Sequence, residues 1–279
     1  LAWSRGLGDV YKRQVYKLNG FVFVNSGNTL NIAAGTVIEG MAGSGSNAAA
    51  LIIAKGATIN ATGTAAEPIV FTYDGDNGST PATTRGNWGG LIILGDASLN
   101  STPGETAIEG IPTSETRGLY GGTNDADNSG ILQYVSIRHG GTNIGNDNEI
   151  NGLTLGGVGS GTTMEHIEII GNQDDGVEWF GGTSNIKWLI SAYCADDALD
   201  YDEGYRGMNQ FVIIYQDAAD ADRGGEHDGG TSPETAMPYA TPKFWNVTSI
   251  GNATSKAITF RDNAGGEYHN SIFSGFGKG

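Results

Sequence analysis

The stretch TMEHIEIIGNQDDGVEWFGGTSNIKWLISAYCADDALDYDEGYRGMNQFVIIYQ, residues 163–216, repeats itself at an offset of 22 residues. That offset places Met164, Ile186 and Met208 at one position, Ile167, Leu189 and Phe211 at a second, and Val177, Leu199 and Ala221 at a third. Each copy is too short to bury its own apolar face, so it must lie against the next one. Alternation in FVIIY, residues 211–215, says that the copies stack as strands. The expected fold is all-β: a right-handed single-stranded parallel β-helix.

Outward from this stretch the pattern persists. TLNIAAGTVI (residues 29–38) superimposes on ALIIAKGATI (residues 50–59) at an offset of 21, matching Leu30 to Leu51, Ile32 to Ile53, Gly35 to Gly56 and Ile38 to Ile59. GLIILGDASL (residues 90–99) is a related run, and KFWNVTSI (243–250), AITF (257–260) and YHNSIF (268–273) supply further coils. Polar insertions fall at residues 74–86, 103–128 and 224–242. About nine to eleven coils are expected, each rising by roughly 4.8 Å. Propeller blades need about 40 to 50 residues, and sandwiches carry no such short self-similarity.

Composition agrees. The chain has 279 residues with 46 Gly, too many for ordinary helical packing, and 38% hydrophobic residues, enough for one sizeable core. No apolar run approaches the roughly 18 residues of a membrane-spanning helix. The formal charge of −16 repels phosphate backbones, so nucleic acid is not an expected partner. A single cysteine, Cys194, cannot form an internal disulfide and reads as a structural thiol. Residues 1–14, LAWSRGLGDVYKRQ, resemble nothing downstream, and DVYKRQ looks like a translated sequencing adaptor. Residues 1–14 are therefore set apart as a non-native scar, and residues 15–279 are read as a single domain truncated at its C-terminus.

Two acidic segments, GNQDDGVEWFGGTSN (residues 171–185) and CADDALDYDEGYRG (residues 194–207), carry a resemblance to a known family. Together with VNSGNTLNIAAGTVIEG (24–40), GNWGGLIILGDA (86–97) and EINGLTLGGVG (149–159), they resemble secreted or lipid-anchored bacterial surface proteins with the pectate-lyase-like β-helix. The resemblance covers nearly all of residues 15–279. It implies an extracellular or outer-surface location in a bacterium and leaves the activity unassigned, so chemistry rests on the residues.

The 22-residue period puts Glu178, Asp200 and Asp222 at one position of successive coils, and Asp174 and Asp175 beneath Asp196 and Asp197. Like charges about 4 to 5 Å apart near a protein surface repel by about 3 to 4 kcal/mol, so such columns call for a cation, retained protons or interleaved bases. Calcium takes six to eight hard oxygen ligands, and Asp196, Asp197, Asp200, Asp202 and Glu203 offer five carboxylates within eight residues. The expected metal ligands are Asp174, Asp175, Glu178, Asp196, Asp197, Asp200, Asp202 and Asp222, with Ca2+ as the hypothesised ion. A second acidic cluster, Asp217, Asp220, Asp222, Glu226 and Asp228, sits beside His227 and leaves a transition metal open. DADNSG (residues 125–130) opens like an EF-hand loop, but Ser136 stands at the twelfth position, so a turn is expected.

Two enzyme readings stand beside this one. In an inverting polysaccharide hydrolase, Asp174 or Asp175 would work with Asp196 or Asp197 across about 6.5 to 9.5 Å. In a calcium-dependent lyase, Arg206, Arg223 or Arg261 would be the base. The sequence lacks a Gly-His-Gly segment and an Arg-x-Lys after it, and its four histidines are scattered. Trp179 should stack on Tyr201, in the core or as an exposed platform for sugar rings. The leading expectation is a non-enzymatic β-helix for adhesion or glycan binding with calcium in its acidic coils; a polysaccharide-active enzyme is the alternative.

Overall fold

The computed structural model describes residues 14–101, 104–144, 150–230 and 233–279. Of the segment read as a scar, residues 1–13 lie outside them. Parallel strands stack into two sheets. One has eight strands: Phe21–Val24, Ala50–Ile53, Leu91–Leu94, Leu153–Gly156, Val177–Phe180, Leu199–Asp202, Glu226–Asp228 and Thr259–Arg261. The other, of twelve strands, is dominated by long bent strands such as Gly130–Arg138, Thr163–Ile170, Asn185–Ala192, Met208–Tyr215 and Lys243–Ile250. Each winding gives one strand to the first sheet and a bent strand, or two short ones, to the second. Eight windings carry a strand of the first sheet; the eighth closes with Glu267–His269 and Ile272–Ser274, which pair with the two arms of Lys243–Ile250, and Lys278, bridged to Lys256, begins a ninth. That is the lower edge of the expected range.

Side chains alternate as strands require, and the inward set forms one continuous core. Within it stand Trp179, Tyr201, Tyr205, His227 and Phe244; His227 stacks on Tyr201 with ring centroids 4.1 Å apart. Trp179 and Tyr201 are paired in register and wholly buried, but Trp179 stacks on Tyr205, with centroids 5.0 Å apart, and not on Tyr201 as expected; these rings belong to the core and offer no outer platform. Cys194 is buried and free.

The bend in the long strands has a single cause. Tyr134, His166, Trp188, Phe211 and Asn246 all adopt positive φ, between 51° and 60°, at the same corner of successive windings. Such a conformation costs roughly 1 to 2 kcal/mol for a non-glycine residue. Here ring stacking offsets it: centroids lie 4.2 Å apart for Tyr134 and His166, 4.4 Å for His166 and Trp188, and 5.9 Å for Trp188 and Phe211.

Register departs from the fixed offsets in three places. Residues 163–170 pair with 185–192 at 22, as expected, but Lys187 pairs with Gln210 and Leu189 with Val212. The turn after Asp202 is one residue longer than the turn after Phe180, which moves Met208 and Phe211 to the exposed surface and puts Asn209 inside. The next turn is longer again, so Asp200 pairs with Glu226 and not with Asp222, and Ala221 falls outside the column of Val177 and Leu199. Nearer the N-terminus, Leu30 pairs with Ile59 and Val22 with Leu51, an offset of 29. The 21-residue similarity had matched two different sides of the coil, because the strand–Gly-turn–strand pattern recurs at more than one corner.

Residues 96–101 and 104–128 leave the helix and fold back over the outer face of the eight-stranded sheet. Leu99, Ile108, Ile111 and Tyr120 pack there on Ile52, Ile92 and Leu94, forming a second core. The unbroken apolar runs ALII and LIIL are thereby buried on both faces.

Candidate metal centre

Along the eight-stranded sheet the outward positions next to this cover become acidic. Register stacks Thr154, Glu178, Asp200, Glu226 and Thr259 in one column. A second column forms in the turn leading into each strand. The backbone N–H of Asp197 donates to Asp175 Oδ1 at 2.9 Å, and that of Ala198 donates to the Arg223 carbonyl at 3.1 Å. Arg223 pairs in turn with Lys256, and Lys256 with Lys278. From Asp175 and Asp197 upward this column changes from acid to base.

The carboxylates come together in four overlapping trios, each with one oxygen per residue within 4.8 Å of the others: Asp174, Asp175 and Asp196; Asp175, Glu178 and Asp200; Asp196, Asp197 and Asp222; Asp197, Asp200 and Glu226. Asp222 thus joins the cluster from the adjoining turn. Asp202 lies one position along the outer face, in register with Phe180, and belongs to none of the four trios.

Counter-charge is unevenly shared. Arg223 Nη1 lies 2.7 Å from Asp222, 2.9 Å from Glu226 and 3.2 Å from Asp197, and Lys256 reaches Asp222 at 3.0 Å. Arg261 holds Asp228 and lies 3.1 Å from Glu226. Among the described residues, no Lys or Arg forms an ion pair with Asp175, Glu178 or Asp200; Glu178 accepts from the Asn151 amide. Asp197, 1% exposed, leaves Oδ1 with no hydrogen-bond donor, and Asp200 Oδ1 is buried in the same state.

Burial, then the neighbouring carboxylates, pushes Asp175, Glu178 and Asp200 well above the usual carboxylate range. Asp197 is pushed up to about 8 by burial and the Asp196 charge, against the opposing pull of Arg223. Such groups either keep their protons at neutral pH or share a cation. The donor set contains only hard oxygens, which suits calcium or magnesium better than a thiophilic metal. His227 does not contribute: its ring points into the core, its Nε2 lies 2.7 Å from the Tyr268 hydroxyl, and burial lowers its pKa to about 3.

A family model described as the pectate-lyase-like beta helix domain matches residues 9–279. The chain belongs to this family. Neither the curated proteins nor the solved structures include a significant match.

Other sequence-predicted residues of this pectate-lyase-like β-helix sit apart from the carboxylates. Arg206 Nη2 pairs with Asp125 at 3.0 Å and with Ser98 at 2.8 Å. Asp217 and Asp220 bind Arg85 at 2.8 and 2.9 Å and so leave the second acidic cluster. The EF-hand-like segment is a turn, in which the Gly130 N–H donates to Asn128 Oδ1 at 2.9 Å. Sequence reasoning assigned to Asp222 the column position that Glu226 occupies. The signal for Glu226 was present: EWF, DYD and EHD each place an acid before an inward ring.

Proposed function

We propose that the chain is a non-enzymatic β-helix of the bacterial outer surface or extracellular space, acting in adhesion or glycan binding, and that calcium held by its acidic ridge is part of its working state. The observation that carries the calcium reading is the pair of buried oxygens Asp197 Oδ1 and Asp200 Oδ1, which meet no hydrogen-bond donor among the described residues, inside overlapping trios to which Asp175, Glu178 and Asp200 bring no Lys or Arg ion pair. An unpaired buried carboxylate oxygen costs several kcal/mol, and a divalent ion relieves several of them at once. Asp175, Glu178, Asp200 and Asp197 are the first ligands, with Asp174 and Asp196 at the rim.

Two features weigh against the enzyme readings. Asp174, Asp175 and Asp196 converge to within 4.8 Å, closer than an inverting pair requires, and Asp175 and Asp197 are buried. The arginines near the ridge are locked in ion pairs that raise their pKa, the opposite of what a general base needs.

Calcium titration followed by calorimetry and thermal melts tests the proposal. At free calcium about 100 times Kd, stability should rise by about 2.7 kcal/mol, equivalent to roughly 5 to 10 °C in midpoint. Identical midpoints in calcium and in chelator would remove the metal. New reducing ends or unsaturated products after incubation with a polysaccharide panel would instead establish an enzyme.

A further inference from the structure

A groove of about 510 Å3 runs along the outer face of the twelve-stranded sheet, beside the corner column of rings. Tyr134, His166, Trp188 and Phe211 form its wall. Its floor is a register column, Ser136, Glu168, Ile190, Ile213 and Thr248, one residue from each winding. Both columns therefore step once per winding, every ~4.8 Å. Trp188 is 37% exposed, Phe211 39% and Ile213 48%, a contiguous apolar strip of the kind that marks a binding surface.

The chemistry of the groove narrows the occupant. Among its lining side chains only Arg138 and Glu168 carry a formal charge with His166 neutral, and they bind each other at 3.0 Å. The lining thus carries no net charge on a chain whose net charge is −16, and Lys187, just outside it, holds its Nζ 4.3 Å from the Trp188 ring centroid and 5.9 Å from that of Phe211. From Tyr134 to Trp188 the rings stack face to face, so the wall presents ring edges, which carry partial positive charge. The Tyr134 hydroxyl, the His166 ring nitrogens and the Trp188 indole N–H make no hydrogen bond to any described residue. A matching ligand carries oxygens on its rim, C–H groups on its face and a repeat equal to one winding. A peptide strand does not match, since its same-face side chains recur at roughly 6.8 Å. An acidic polymer would be repelled by the overall field.

We propose that this groove binds one extended chain of a neutral polysaccharide, with one sugar ring per winding between Tyr134 and Asn246. The extended pyranose chain has the required rise, with hydroxyl groups facing the ring edges and Thr248 while its C–H faces lie over Ile190 and Ile213. The proposal shares only the ligand class with the functional reading above and involves none of the carboxylates of the ridge.

The test is affinity electrophoresis and calorimetry of the whole chain with hydroxyethyl cellulose, mixed-linkage β-glucan and galactomannan, each in calcium and in EDTA, with polygalacturonate as acidic control. Retardation by at least one neutral polymer is expected, unchanged by EDTA. It should weaken about tenfold or more in the double variant Trp188→Ala, Phe211→Ala. The variant Tyr134→Phe, Trp188→Phe keeps the stack and removes two polar edges, and should weaken binding by a smaller factor while its melt stays near that of the parent. Failure of every neutral polymer to bind overturns the proposal, as does undiminished binding by both variants. A dimer in light scattering that vanishes in the Trp188→Ala, Phe211→Ala variant would make the groove an interface between copies and also overturn it. Binding that appears only in calcium would place the polysaccharide on the ridge and not in this groove.

Discussion

At Asp175, Glu178, Asp197 and Asp200 a proton and a metal ion compete for the same oxygens, and the competition has a defined pH dependence. Their folded-state pKa values are raised, Asp197 from 3.8 to about 8, so between those values the folded chain binds more protons than the unfolded one. Stability of the calcium-free protein therefore falls as pH rises through this window, and is fully present only below the ordinary carboxylate range. Melts in EDTA should show a lower midpoint at pH 8 than at pH 5, with calcium restoring much more at pH 8. A flat or rising profile in EDTA would contradict the burial of these acids. Asp200→Asn removes one charge from the trios that share it. In EDTA at pH 8 this variant should melt higher than the parent, by an amount of order 1 kcal/mol per pKa unit relieved, yet gain little from calcium. A variant that keeps the full calcium response would show that Asp200 is not a ligand.

The turn that carries Arg223 does for the upper windings what an ion is proposed to do for the lower ones. Its guanidinium touches three carboxylates, one of them on a residue only 1% exposed. Arg223→Met leaves the buried Asp197 without a basic partner, while Lys256 still reaches Asp222 and Arg261 still reaches Glu226; the change should cost about 3 to 5 kcal/mol in chemical denaturation at pH 8, and a loss under 1 kcal/mol would mean that Asp197 is already protonated. These turns are also where legibility in the sequence ended. Alternation and the 22-residue offset disclosed the strands, the parallel stacking and the juxtaposition of Asp175 with Asp197 and of Glu178 with Asp200. They did not disclose the one-residue extension before Met208 or the longer turn before Glu226, because turn length is unconstrained by the period and only the pairing across windings reveals it. Phe211 was aligned with the inward Ile167 and Leu189 for the same reason. Its positive φ, shared with Trp188 and His166, breaks the alternation and turns the ring outward, a backbone property that composition does not express.

Across the whole molecule, residues are divided between two cores that share only the eight-stranded sheet. The inner core runs through every winding, whereas the outer one depends on Leu99, Ile108, Ile111 and Tyr120 lying over Ile52, Ile92 and Leu94. Ile108→Asp should therefore release the cover without unwinding the coil. Limited proteolysis is expected to cut within residues 96–128 while far-ultraviolet circular dichroism is unchanged, since solenoid windings are stabilised chiefly by their neighbours. Cooperative loss of the entire β signal in this variant would show that cover and coil fold as one unit. The edge on which Asp175 and Asp197 give way to Arg223, Lys256 and Lys278 separates positive from negative charge along the long axis. Such a rod carries a permanent electric moment, and copies held side by side in the same sense repel as aligned dipoles. Their lateral spacing should widen as ionic strength drops and the screening length grows beyond about 10 Å.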